Sequence, residues 1–315
     1  MSLIHGLQET RALYLEKRLI FVFLMGFASG LPFLLTGATL SIRLAEAGLS
    51  LTTIGFFALV GTPYNLKYLW APLIDRIHLP LLSGILGRRR SWMVLIQVGL
   101  MASIVALGVI DPVSRPEWTA FLAFAVAFFS ASQDIVIDAY RIEILDEDQQ
   151  GAGAAMTQAG YRFGLLAAGA GALYLASSIH WQIVYQIMAA LGLIGLITTL
   201  FAPIPLANTP EEGTIDPKGG WFHATLIAPF VEFFQRNTIG SAITILVFIL
   251  LYKFGDAFAG VMANPFYILI GFTKVEIANV SKVFGVFATL LRVFLGGQVV
   301  KRFGSLDSLL YCGVL

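Results

Sequence analysis

Apolar residues in this chain come in long unbroken runs, neither alternating with polar ones nor confined to a single helical stripe. The runs lie near 19–42, 52–74, 92–110, 117–141, 151–176, 181–203, 239–270 and 275–298, and a ninth opens at about 306. A helix needs roughly 20 apolar residues to cross the hydrocarbon core of a bilayer, so each run predicts a membrane-spanning helix. Several exceed that minimum, which predicts tilt or kinks. Pro32, Pro63, Pro72 and Pro265 are where a helix loses a backbone hydrogen bond and bends. The first run is interrupted by Pro32 and lacks a small-residue cleavage site, so it is expected to stay as a helix.

Composition agrees with an all-α membrane protein. Of 315 residues, 57% are hydrophobic and only 12% charged, where a soluble domain carries about 25% charged residues. The net charge of +1 gives no footprint for a nucleic-acid partner. A lone cysteine, Cys312, makes no internal disulfide, and His5, His78, His180 and His223 are too scattered to predict a metal cage. No phosphate-loop, serine-hydrolase or zinc-protease motif is present, so neither ATP hydrolysis nor another enzymatic activity is expected.

Counting Lys and Arg in alternate loops places twelve on the N-terminal side and three, Arg43, Arg115 and Lys274, on the other. Basic residues are retained in the cytoplasm, so the N-terminus is expected inside. After six runs comes "FAPIPLANTPEEGTIDPKGG", rich in Pro, Gly and charge, then the amphipathic "WFHATLIAPFVEFFQRN". The expected organisation is a six-span bundle over 1–203, a cytoplasmic linker with an amphipathic helix over 204–237, and a partial second bundle over 238–315. A weak internal echo supports two related halves: "PLIDRIHLPLLSGILGRRR" follows the second run and "GGQVVKRFGSLD" the eighth.

Charges inside the runs are the candidate chemistry, since each costs about 2.5–3.5 kcal/mol or more at mid-bilayer unless it meets a partner or water. "SASQDIVIDAYR" places Asp134, Asp138 and Arg141 on one helical stripe; Lys67 lies at similar depth in the second run and Arg162 near the middle of the fifth. The expected arrangement is a network of acids facing bases across helices, able to pass a proton. Spacing alone leaves open whether Asp134 or Asp138 carries it; Asp134 lies one turn deeper. "LLYKFGDAFAG" sets Lys253 and Asp256 three apart, where an internal pair is equally consistent with the sequence. Tyr64, Gln133 and Tyr161 lie beside these charges and offer rings and hydrogen-bonding tips to a sugar-like ligand. Gly26 with Gly30, and Gly160 with Gly164, have the spacing of close helix packing.

The segments "GFASGLP", "TTIGFFALVG", "LKYLWAPLIDR", "GRRRSW", "SASQDIVIDAYR", "GAGAAM", "GYRFG" and "LYKFGDAFA" resemble, in order and wording, the AmpG-type muropeptide permeases of the major facilitator superfamily. Asp75-Arg76 and the later "GRRR" resemble that superfamily's signature loop, with an insertion between its halves. The resemblance implies a two-bundle transporter with the first, fourth and seventh spans lining a central cavity, importing anhydro-muropeptides across the bacterial inner membrane by proton symport. It carries over Lys67, Gln133, Asp134, Asp138, Arg162, Lys253 and Asp256 as motif positions. In that scheme Lys67, Arg162 and Lys253 attract ligand carboxylates and the aspartates, Asp256 included, exchange protons. Asp75, Arg76 and Glu143 would form a cytoplasmic latch. It also implies twelve spans, of which about eight to nine fit here, so a fragment is expected. Alternatives are a transporter of another anionic conjugate such as acetyl-CoA, or a non-transporting membrane scaffold or sensor.

Overall fold

A computed structural model of the chain describes residues 14–80, 82–204, 239–285 and 288. Among the described residues every regular element is helical. The first apolar run forms α1 (Lys17–Thr36) and α2 (Ala38–Glu46), which meet at Gly37. The turn that follows uses Gly48 at φ 83°, a left-handed conformation that costs glycine nothing. Ser50 then caps α3 (Leu51–Phe56) by accepting the Thr53 N–H at 3.1 Å.

The second run is not one α-helix. It passes from α3 through a 3₁₀ stretch (Phe57–Gly61), α4 (Thr62–Leu66), a 3₁₀ turn (Lys67–Leu69) and α5 (Ala71–Arg76). Pro63 and Pro72 occupy the first turns of α4 and α5, where a missing N–H is harmless. The tighter 3₁₀ turns absorb the interruptions, and Lys67 opens one of them.

After α6 (Leu82–Leu86) come α7 (Arg88–Val109) and α8 (Pro116–Ile144). The fifth run is α9 (Gln150–Leu166), a π-helical turn (Ala167–Gly171) and α10 (Ala172–Ala176); the sixth is α11 (Trp181–Phe201). The seventh is α12 (Ile239–Leu269), with Pro265 inside it, and the eighth begins with α13 (Lys274–Ile277) and a second π-helical turn (Ala278–Phe284). Helices thus lie where the apolar runs predict them. Lys17–Glu46, Arg88–Val109, Pro116–Ile144 and Trp181–Phe201 are each long and apolar enough to cross a membrane. The predicted linker beyond Ile204, its amphipathic segment, the end of the eighth run and the ninth run lie outside the described residues.

The helices of the first six runs pack into one bundle, with α1 against α9, α8 and α11, and α7 against α8 and α11. The seam between α1 and α9 is made of glycines facing backbone on both sides. A Cβ on Gly26 or Gly30 would strike the carbonyls of Thr157 or Tyr161, and one on Gly160 or Gly164 would strike those of Phe23 or Phe27. This is the close packing that the glycine spacing predicts. α12 meets α2 and α3, and the two π-helical turns touch each other.

Arg43, which sequence counting places in a loop, is buried instead. Its guanidinium donates to the carbonyls of Leu107 (2.7 Å), Gly108 (3.3 Å) and Ile110 (2.7 Å) and lies 5.1 Å from the centre of the Tyr185 ring. A cation there satisfies the unpaired carbonyls at the C-terminus of α7 and complements the helix dipole.

Candidate functional site

The charged stripe of α8 meets two other helices. The Ser29 hydroxyl on α1 donates to Asp134 Oδ1 at 2.6 Å, and Lys67 Nζ lies 3.6 Å from Asp134 Oδ2. Ser29 sits between Gly26 and Gly30, so the glycine seam that draws α1 onto α9 also fixes the height of its hydroxyl. Lys67 reaches α8 because the second run is broken beneath it. The segment after the break is tied down by Trp70, whose indole N–H donates to Ser132 Oγ at 3.0 Å and whose ring lies 5.0 Å from Phe128.

The other charges fall differently. Asp138 is exposed, and neither it nor Arg162, also exposed, makes an ion pair among the described residues. Tyr161, next to Arg162, lies within electrostatic range of both Asp134 and Arg162 and carries its ring 6.4 Å from Phe33. The side chains of Lys253, Asp256 and Arg76 lie outside the described residues.

Between α1, α2, α3, α4 and α12 is a cavity of about 480 Å³. Phe33, Ile54 and Phe57 supply apolar walls, Thr36, Tyr64 and Asn65 polar tips, and Gly260 the contribution of α12. The resemblance implies a cavity lined by the first, fourth and seventh spans. This one is lined by the first, second and seventh, and α8 approaches it through Tyr64. The Tyr64 ring lines the cavity and packs edge-on against Phe33 at 5.2 Å. Its hydroxyl lies near Ser130 and within electrostatic range of Asp134. Among the described residues, the hydroxyls of Tyr64 and Ser130 and the amide nitrogen of Gln133 are buried without hydrogen-bond partners. Three polar groups on or beside the charged stripe thus keep unused bonding capacity.

At the end of the bundle holding the N-terminus, Asp75 and Glu143 do come together, joined by Arg89. Arg89 Nε and Nη2 donate to Glu143 Oε1 at 2.8 and 2.6 Å, its Nη1 donates to Asp75, and Arg88 lies 3.8 Å from Glu143. The "GRRR" motif supplies this base, and Arg89 reaches both acids because it starts a long helix beside α8. Ser29 carries no signal in the sequence, because a lone serine has no periodic signature.

Residues 19–315 match the model of the major facilitator superfamily. The chain belongs to that superfamily. Within it the sequence is AmpG-type. It is 40% identical over 305 residues to the anhydromuropeptide permease of Escherichia coli strain K12, covering 96% of this chain and 59% of that protein. It is 36% identical over 308 residues to a putative transporter, AmpG 4, of Rickettsia felis, covering 96% of this chain and 72% of the relative. The chain therefore spans 59% of the length of the Escherichia coli permease. A solved bacterial homologue of the human lysosomal transporter Spinster has the same fold, with a TM-score of 0.62 at 17% identity over 90% of this chain and 62% of that one. The major facilitator fold accounts for the bundle of the first six runs and for helices of the next runs docking beside it.

Proposed function

We propose that this chain forms the first bundle and part of the second bundle of an inner-membrane importer of anhydro-muropeptides. In this reading the importer is driven by proton symport and works by alternating access, with its N-terminus in the cytoplasm. The observation that carries the proposal is the Lys67–Asp134–Ser29 cluster: a carboxylate held by a lysine and a hydroxyl from two other helices, beside a cavity, in a superfamily member whose relatives are named as muropeptide permeases.

The cluster supports a cycle in elementary chemistry. While ionised, the Asp134 carboxylate accepts from Ser29 and balances the Lys67 ammonium. Protonation removes its charge, leaving Lys67 without its counter-ion. The ammonium then gains by pairing with a carboxylate on the ligand's peptide, while the Ser29 hydroxyl accepts the new carboxylic O–H. Proton and ligand are thereby bound together. Support for Asp134 over Asp138 is that Asp134 has both partners, whereas Asp138 is exposed and unpaired among the described residues. Arg162 and Lys253 remain proposed as further cations for the ligand and Asp256 as a further proton site. Tyr64, Tyr161 and Gln133 remain proposed for its sugar and amide groups. Asp75, Arg76 and Glu143 remain proposed as the cytoplasmic gate, with Arg89 bridging the two acids.

Uptake of labelled anhydro-muropeptide by the full-length protein in vesicles, with and without a proton uncoupler, tests the reading. Asp134→Asn should insert normally, retain exchange of internal for external ligand, and lose uphill accumulation. Normal uphill accumulation by that variant would remove the proposed proton role.

A further inference from the structure

At the end of the bundle opposite the N-terminus, three side chains join the first six runs to the eighth. Lys274 Nζ lies 3.0 Å from Glu46 Oε1 and donates to Glu46 Oε2 at 3.2 Å. The Trp181 indole N–H donates to the same Oε2 at 2.8 Å, and the Lys274 ammonium lies 5.6 Å from the centre of the Trp181 ring. Trp181 thus holds both members of the pair. Beneath it, Ile42, Ala170 and Leu173 of the first bundle pack with Ile277 and Ala278 into one buried apolar cluster. Tyr174 donates to Asn279, and a Cβ on Gly169 would meet the Lys282 stem at 3.5 Å.

The positions of the two charges are what make this contact informative. Glu46 is the last residue of α2 and Lys274 the first of α13. A helix favours cations at its C-terminus and anions at its N-terminus. Each charge therefore stands at the wrong end of its own helix, and neither serves local stability. α13 takes its N-terminal anion from Glu276 instead, in a reciprocal cap with Thr273. What Glu46 and Lys274 gain, they gain from each other across the boundary between the bundles. When the bundles part, each loses its partner and the oppositely signed helix end beside it.

We propose that Glu46, Lys274 and Trp181 form a latch that closes the outer mouth of the cavity, with the ion pair separating each time that mouth opens. The inside-out orientation rests on the proposed function; the latch itself does not depend on the ligand. While the mouth is closed, each charge also meets the favourable end of the other's helix, so neutralising either residue removes the pair together with that contact and shifts the balance toward opening.

The test is accessibility of a cavity position. Ala58→Cys, in a Cys312→Ser background, places a thiol on the cavity wall, and a membrane-impermeant maleimide is applied to spheroplasts and, separately, to inside-out vesicles. Glu46→Gln or Lys274→Gln should raise the labelling rate from the outer side by roughly three- to tenfold, the range expected for losing a partly exposed ion pair and the contact of one charge with the facing helix end. Glu117→Gln, an exposed acid at the same end, should leave it unchanged. The double exchange Glu46→Lys with Lys274→Glu re-forms the pair with each charge at its preferred helix end; it should label more slowly than either single variant yet faster than the parent. Unchanged labelling in both single variants, from both sides, overturns the latch. A rise seen only in inside-out vesicles upholds the latch and reverses the orientation. A rise without muropeptide uptake upholds it and removes the substrate.

Discussion

Alanine at Gly164 puts the glycine seam under a direct test. Its Cβ would lie 2.8 Å from the Leu31 nitrogen and 3.0 Å from the Gly30 carbonyl carbon, and closer still to the Phe27 carbonyl oxygen. Ordinary carbon contacts begin near 3.5 Å, so α1 and α9 must separate by about 1 Å. The obstacle is backbone, which has no rotamer to escape into. Overpacking of this kind costs about 1–3 kcal/mol, or roughly 2–12 °C in Tm for a domain of this size. Gly151, in the first turn of the same helix, has nothing within 4 Å of its would-be Cβ. Alanine there should be neutral or stabilising by about 0.4–1 kcal/mol, through a less flexible unfolded chain. Thermal unfolding of the detergent-solubilised variants compares the two. Gly164→Ala should also weaken ligand uptake, because moving α1 draws Ser29 from its 2.6 Å bond to Asp134. Equal melting temperatures for Gly164→Ala and Gly151→Ala would refute the seam.

Arg43→Met leaves the carbonyls of Leu107, Gly108 and Ile110 without their shared donor, and should lower stability by about 2–4 kcal/mol, read by the same melts. Arg89→Lys keeps the charge but not the planar fork that reaches Asp75 and Glu143 together, so it should cost about 1–2 kcal/mol; Arg89→Met, which strands both acids, should cost more, about 3–5 kcal/mol. Asp111, in the loop between α7 and α8, has its carboxyl held below the usual carboxylate range by Ser114 and by the Val113 N–H. The turn is therefore firm at neutral pH and loosens as pH falls below the usual carboxylate range and through the lowered value, which a smaller protection factor for amide exchange at Val113 would register.

The order of helices was legible because a bilayer imposes its requirement run by run: each span must be apolar along its length, and no neighbour is needed to read that. The pairs Gly26–Gly30 and Gly160–Gly164 were legible for a related reason, since a four-residue spacing of small residues leaves one smooth face whatever lies opposite. The charges were legible as expensive, and Lys67 and Asp134 as partners of matching depth. Which of two aspartates would be held, and by what, was not. Asp134 and Asp138 lie one turn apart on the same stripe, and only the rotation of α8 against α1 and the broken second run gives Ser29 and Lys67 to one of them.

Chemistry that depends on one residue's own helix was thus fixed along the chain: apolar length, small-residue spacing, the costly charge, the proline break. Chemistry that depends on two helices meeting was decided by packing alone. Arg43 became a buried helix cap rather than a loop charge because α7 ends beside it, Arg89 joined Asp75 to Glu143, and Glu46 met Lys274 across 228 positions. Sequence separation carries no information about such distances, because helices that are equally apolar all round can be rotated and paired in many ways at similar local cost. Only the simultaneous satisfaction of glycine contacts, unpaired carbonyls and buried charges selects one of them.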